Sequence, residues 1–134
     1  MKAEYVLDGN AFATLDEFSQ HFSERVLSDH SWRGNLNAFN DILRGGFGTP
    51  EGGFVLVWRD HMLSRARLGH EEMARRLELV RQTCDPSNIA GVDAQLAAAR
   101  QGLGPTLFDL LVEIIREHCE GGSEAEDGIE LVLA

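Results

Sequence analysis

Apolar positions along the chain recur at two different periods. In EYVLDG, Glu4 to Gly9, a short apolar run closes on a glycine and predicts a strand. TLDE, Thr14 to Glu17, has the spacing of a capping box, in which the Thr14 hydroxyl accepts an early amide hydrogen bond and Glu17 reaches back to the cap. Leu15, Phe18, Phe22 and Val26 follow at helical spacing and predict a helix to about Leu27. After the polar loop SDHSWRG, Leu36, Phe39 and Leu43 stand at i, i+3 and i+7, one buried stripe of a second helix. Asn37 and Asp41 lie four apart on another face of it, with Asn40 and Arg44 beside them.

GGFGTPEGG is a turn, and FVLVW, Phe54 to Trp58, is a short continuous apolar run, as expected of a strand covered on both faces in a parallel sheet. RDHMLSRARLGHEEMARRLELVRQ is charged and helical in character, with Met73, Leu77 and Val80 as its inner face. CDPSN breaks it, and the Ala-rich VDAQLAAARQGLG predicts a modest helix. Pro105 is expected to open a strong helix, where its missing amide proton costs little, with Leu107, Leu110, Leu111, Ile114 and Ile115 inside. EGGSEAEDG is an acidic loop, and IELVLA is the last strand. Apolar strands separated by helices predict an α/β fold, a small, mainly three-stranded parallel sheet packed with helices and joined by right-handed crossovers. At 134 residues the chain is expected to form one domain, 1–134.

Charge narrows the function. Acids outnumber bases 22 to 12, a net charge of −10. That argues against nucleic acid as a direct partner, because phosphate binding draws on dense Lys and Arg, and it favours attraction to basic surfaces. No apolar run approaches the ~20 residues that span a bilayer, so no membrane contact is expected, and the N-terminal MKAEYVLDGN does not read as a secretory signal. Cys84 and Cys119 form no CxxC, which suits a reducing, cytoplasmic setting.

Catalytic signatures are missing. GFGTPEG follows a helix and leads into a strand, the reverse of a phosphate cradle. His70-Glu71-Glu72-Met73 lacks the second histidine of a zinc helix, and the adjacent His118 and Cys119 point in different directions on a helix, so no metal site is expected. Asp60, His61 and Ser64 are triad residue types without a nucleophile elbow, and read as a solvated helix start. The expectation is a protein that is not an enzyme and takes no cofactor.

The specific segment is Trp32 to Trp58. WRGNLNAFNDIL, followed about ten residues later by FVLVWR, resembles the barstar family, the intracellular inhibitors of barnase-type microbial ribonucleases. Gly34, Asn35, Leu36, Ala38, Asp41, Leu43 and Trp58 match the family pattern, with Phe39 a conservative exchange. YVLDGNAFATLDEFSQHFSERV is similar to the family's opening strand, turn and first helix, and IIREHCEGG…GIELVLA to its last helix and strand, with Glu117 after an arginine near the helix end. The stretch of about 70–104 reads as an unassigned helical insertion.

The resemblance implies a barstar-like fold and an inhibitor, antitoxin-like or an immunity protein, that acts as a monomer. Its partner would be a basic microbial ribonuclease. Asp41 would stand in for the scissile phosphate, Glu117 would add a second anion, and Trp32, Asn35, Asn37, Asn40 and Arg44 would complete the partner-binding face. Trp58 is expected in the core, while Trp32 is read equally as a lid over the helices or as a contact residue. The alternative is an interaction module on the same fold that binds another basic partner. The chain departs from the family at Asn37, where an acid is frequent, and at Ser31, where an aromatic is frequent.

Overall fold

The computed structural model describes residues 2–27, 31–45, 48–50 and 52–134. Part of the predicted SDHSWRG loop (28–30) and three positions of the GGFGTPEGG turn (46, 47 and 51) lie outside the described residues. Among the described residues, three strands and six α-helices follow in the order β1 (Ala3–Asp8), α1 (Leu15–Val26), α2 (Leu36–Leu43), β2 (Phe54–Arg59), α3 (His61–Arg67), α4 (His70–Thr83), α5 (Ile89–Arg100), α6 (Leu107–Glu117) and β3 (Glu130–Leu133). Short 3-10 turns lie at Pro86–Asn88 and Ala125–Asp127.

β2 is the central strand, and it pairs in parallel with β1 (Tyr5 opposite Leu56) and with β3 (Leu56 opposite Leu131). The fold is therefore the small α/β one that the pattern predicts. The coverage of β2 differs from expectation. Phe54, Leu56 and Trp58 are completely buried, whereas Val55 and Val57 on the opposite face are covered less fully. An apolar run cannot distinguish these two cases, because both faces of such a strand are apolar.

The long charged stretch after β2 is two helices, broken at Leu68-Gly69, where the Leu68 carbonyl leaves the helix to accept the Phe108 amide (2.8 Å). Pro105 does not open α6. Thr106 is the cap, in a reciprocal capping box with Asp109, and the proline stands one residue outside it. At α1 the Thr14 hydroxyl accepts the Glu17 amide as expected, but Glu17 reaches one residue further back, to the Ala13 amide. α4 is tied to the rest of the domain by Glu72. This buried carboxylate accepts the Leu15 amide at the start of α1 (2.6 Å) and is gripped by Arg75, which also reaches Asp16. An anion at a helix N-terminus is favourably placed against the helix dipole.

The core is continuous from α1 through the sheet to α6. Phe18 stacks on Trp58 (5.2 Å between centroids), and Trp58 meets Phe12 and Phe108. The indole N–H of Trp58 donates to the buried Ser64 hydroxyl, which satisfies both groups. Gly9 is required where β1 ends, because a Cβ there would lie 2.5 Å from the Asp60 carbonyl oxygen and 2.6 Å from that of Arg59. Among the described residues no helix is long and apolar enough to cross a membrane.

His21 makes stability depend on pH. Its ring is buried, and Nε2 accepts the Asp8 amide N–H (2.9 Å), so that nitrogen carries no proton in the fold. Burial, helped by the neighbouring Arg25 charge, pushes the imidazole below its ordinary value of 6.5, and the Asp8 and Glu24 carboxylates oppose this only in part. Near and below that value the unfolded chain binds more protons than the folded one, so stability falls as pH falls. Asp8 is itself held below the usual carboxylate range by the Asn10 amide and acts only in more acid solution. Melting temperature is expected to decline from about pH 7 to pH 5, and His21→Gln is expected to flatten that slope. An equal slope in the variant would assign the pH dependence to other groups.

Candidate partner-binding site

α2 carries most of the candidate residues. Leu36, Phe39, Ile42 and Leu43 are buried, with Phe39 against Phe18 and Phe22 of α1 and the helix also meeting α6, so the opposite side of the helix faces outward. Asp41 stands on that side with its side chain 73% exposed, next to Asn37, which is also exposed. The helix is firmly started. The Asn35 side-chain oxygen accepts the amides of Asn37 and Ala38, the pattern of an N-cap. Asn35 thus has a structural task that an asparagine directly before an apolar helical stripe already signals.

Trp32 leaves the candidate face. It is 4% exposed and lies flat on Phe39, 4.5 Å between centroids. Its indole N–H donates to the Asn35 carbonyl (2.8 Å), and its backbone amide donates to the Ser23 hydroxyl (2.8 Å). Of the two readings of Trp32, the lid is the one the packing supports. The physical reason is that α1 and α2 meet at an aromatic junction of Phe18, Phe22 and Phe39 that needs a cover.

Asn40 turns inward. Its Oδ1 lies 2.7 Å from Nε2 of His118, at the C-cap of α6. His118 is completely buried, and its Nδ1 lies 2.6 Å from the Asp127 carboxylate. Glu124 completes the group, with Oε2 3.5 Å from His118 Nε2. Arg44 bridges this group to Asp41. Its Nη1 is 2.9 Å from Asp41 Oδ1, while Nε and Nη2 lie 2.8 and 2.6 Å from Glu124 Oε1. The Glu124 hydrogen bond and charge push the Arg44 guanidinium above its already high range. Asn40, Asp41 and Arg44 are thereby joined to the loop that follows α6.

Glu117 is exposed but stands apart. It borders a depression with Glu113, Arg116 and Glu120, and among the described residues no hydrogen bond or ion pair joins its carboxylate to α2. The carboxylate that the fold couples to Asp41 is Glu124. Local sequence pattern offers no signal for this, because the Arg44–Glu124 contact spans 80 residues and the Asn40–His118 contact spans 78.

Beyond Asn35 and Asn37, the N-terminal end of α2 borders a groove of about 930 Å³ walled by α4 and α5 and carrying Arg33, Arg75 and Arg76. The groove mixes charges, since Asp16 and Asp85 line it beside the arginines and Arg75 is paired with Glu72 and Asp16. His118, Glu124 and Asp127 are also the one grouping among the described residues whose donor atoms could converge on a metal ion, lying within 4.8 Å of one another. Both ring nitrogens are already engaged with oxygens, and the hydrogen-bond network accounts for the arrangement. Asp60, His61 and Ser64 are dispersed onto Asn10, the Ala134 carbonyl and Trp58 respectively, so they form no triad.

A family model described as "Barstar (barnase inhibitor)" matches residues 3–99. The match takes in β1 to β2 and runs on through α3, α4 and nearly all of α5, and so through most of the stretch 70–104; it stops before α6 and β3. No individual curated protein gives a significant match to the chain.

Proposed function

The chain belongs to the barstar family, and from that premise we propose that it inhibits a barnase-type ribonuclease by inserting Asp41 into the cationic pocket that otherwise holds the scissile phosphate. The family is one of inhibitors rather than enzymes. The observation that carries the reading is the exposed Asp41 carboxylate on a capped helix whose other side is packed in the core. A nuclease pocket holds Arg, Lys and His cations, and a carboxylate placed there makes charge-assisted, often bidentate hydrogen bonds. Because α2 is already ordered, docking costs little conformational entropy.

Electrostatics sets the rate. With a net charge of −10, the chain attracts a basic nuclease before contact, and steered encounters reach roughly 10⁸ M⁻¹s⁻¹ at low salt. The barnase–barstar pair is itself the general example of such steering and of a carboxylate hot spot, so this expectation is inherited with the family. Asn37 and Ser31 stand where an acid and an aromatic are frequent in the family, which suits a target whose rim differs from that of barnase.

A fluorogenic RNA assay with a panel of barnase-type nucleases tests the proposal. Inhibition is expected near one-to-one stoichiometry, with no cleavage by the chain alone. In stopped flow, association should slow steeply as salt screens the field. Intrinsic RNA cleavage, or no effect on any nuclease, would overturn the inhibitor reading and leave an interaction module for another basic protein.

A further inference from the structure

We propose that the groove between the start of α2 and helices α4 and α5 is a second docking site for the partner that takes Asp41. It would hold a segment of that partner by one carboxylate on Arg76 and by apolar neighbours on Leu79 and Val80. That the partner is the same one rests on the inhibitor reading; the chemistry of the groove does not.

Arg76 carries the argument. Of the chain's arginines and lysines, Arg75 and Arg76 are the two that are not exposed. Arg75 is held by Glu72 and Asp16, whereas Arg76 has no acid partner among the described residues. Its one polar side-chain contact there is the Met73 sulfur, 3.9 Å from Nη1 and a weak acceptor. Burial pushes the guanidinium below its ordinary range, and no nearby carboxylate opposes the shift. A sheltered charge without a partner costs stability, so the free fold gains nothing from it. The acids that line the groove are already engaged. Asp16 reaches Arg75, and Asp85 accepts the amide and the hydroxyl of Ser87 (2.9 and 2.7 Å). The group left open in the groove is therefore a cation.

The walls suit a peptide. Arg76, Leu79 and Val80 line the groove from α4, three and four residues apart on one helical face, and Gly91 and Val92 line it from α5. Leu79 is 50% exposed. Gly91 lies inside α5, where a glycine is costly relative to alanine. Its backbone is not left-handed and a Cβ there would meet nothing within 4 Å, so neither conformation nor packing requires it. What glycine provides is a low point in the wall, where another backbone can come close. The volume of about 930 Å³ is room for a short peptide segment.

Charge and position select the occupant. A carboxylate matches one guanidinium in a bidentate fork, whereas a phosphate dianion or a nucleic acid would meet Asp16, Asp85 and a net charge of −10. Asn37 lines the groove and stands one turn from Asp41. With eight residues α2 is only about 12 Å long, and a stable interface covers about 800 Å² of each partner. A protein seated on Asp41 must therefore extend past the helix, and Asn37 leads it into the groove.

The probe is acetyl-Leu-Asp-Leu-amide, with acetyl-Leu-Asn-Leu-amide and inorganic phosphate as comparisons. In proton–nitrogen NMR the Asp peptide is expected to shift the Arg76 Nε–H and the Leu79 and Gly91 amides at several-fold lower concentration than either comparison. Arg76→Met and Gly91→Leu should each abolish the preference for the Asp peptide, with melting temperature unchanged or raised. An equal response to the Asn peptide or to phosphate would overturn the proposal. So would a large fall in the melting temperature of Arg76→Met, because Arg76 would then serve the fold. With an inhibited nuclease in hand, the sign of the effect decides. Removing a cation from an acidic chain speeds encounter with a basic partner, so an Arg76 that touches nothing would leave Arg76→Met binding as tightly as wild type or more so. An Arg76 that grips a carboxylate makes Arg76→Met about tenfold or more weaker, through faster dissociation. If the Asp peptide occupies the groove but no nuclease is inhibited, the inhibitor reading falls and the groove stands. If a nuclease is inhibited equally by wild type and Arg76→Met, the groove falls and the inhibitor reading stands.

Discussion

Asp41→Ala is expected to weaken binding to the target nuclease by about 2–5 kcal/mol or more, roughly thirtyfold to several-thousandfold, and to leave the fold intact. The two halves of this expectation have separate grounds. In the free chain the carboxylate is 73% exposed, and its one ion-pair partner among the described residues is the half-exposed Arg44. Such a surface pair contributes about 0–1 kcal/mol. Its loss is offset by the better helix propensity of alanine and by removal of an anion from the C-terminal turn of α2. Stability should therefore change by less than about 0.5 kcal/mol. In the complex, the nuclease cations that faced the carboxylate would be left desolvated and unpaired, and that penalty dominates. Titration calorimetry and thermal melting of the same preparation decide the matter. A large drop in melting temperature at unchanged affinity would make Asp41 a structural residue.

The parts of the fold that were legible in the sequence are those specified by neighbours within a few residues. The α1 cap at Thr14, the stripe of Leu36, Phe39 and Leu43, and the strand at Phe54 all follow from local spacing. The break at Leu68-Gly69 was hidden for a physical reason. The Leu68 carbonyl is drawn out of the helix by the Phe108 amide, a contact across 40 residues that no period of 3.6 records. Pro105 misled by one position because Thr106, which follows it, is a better cap than proline is a first helical residue.

The candidate site divides along the same line. Asp41 and its exposure were readable from the helical face, and so was its pairing with Arg44 three residues on. Glu124, His118 and Asp127 were not readable. They lie in an acidic segment whose composition suggests only solvated charge, and their arrangement depends on α6 delivering His118 to Asn40 on α2. Asn35 and Trp32 show a third situation. Both looked like rim residues because amides and aromatics suit an interface, yet each is used locally, one as a helix cap and the other as a cover for the junction of α1 and α2.

That use of Trp32 leads to the second large effect. Trp32→Ala is expected to destabilise the domain by about 3–5 kcal/mol, the range for truncating a buried large aromatic residue. At this chain length that lowers the melting temperature by on the order of 10–20 °C. The indole is 4% exposed, stacks on Phe39 with an interplanar angle of 15°, and meets the edges of Phe18 and Phe22 at 5.9 and 6.0 Å. Alanine would leave a cavity lined by those rings and would remove the indole N–H from the backbone carbonyl of Asn35, the residue whose side chain caps the start of α2. Trp32→Phe should retain most of the stacking, lose the hydrogen bond, and cost about 1–2 kcal/mol. The two variants separate packing from contact. If Trp32 touched the partner instead, both substitutions would weaken binding at nearly constant melting temperature. If it is the cover over α1 and α2, melting temperature falls in the order wild type, phenylalanine, alanine. The affinity of whatever fraction remains folded then changes only as far as α2 shifts and carries Asp41 with it.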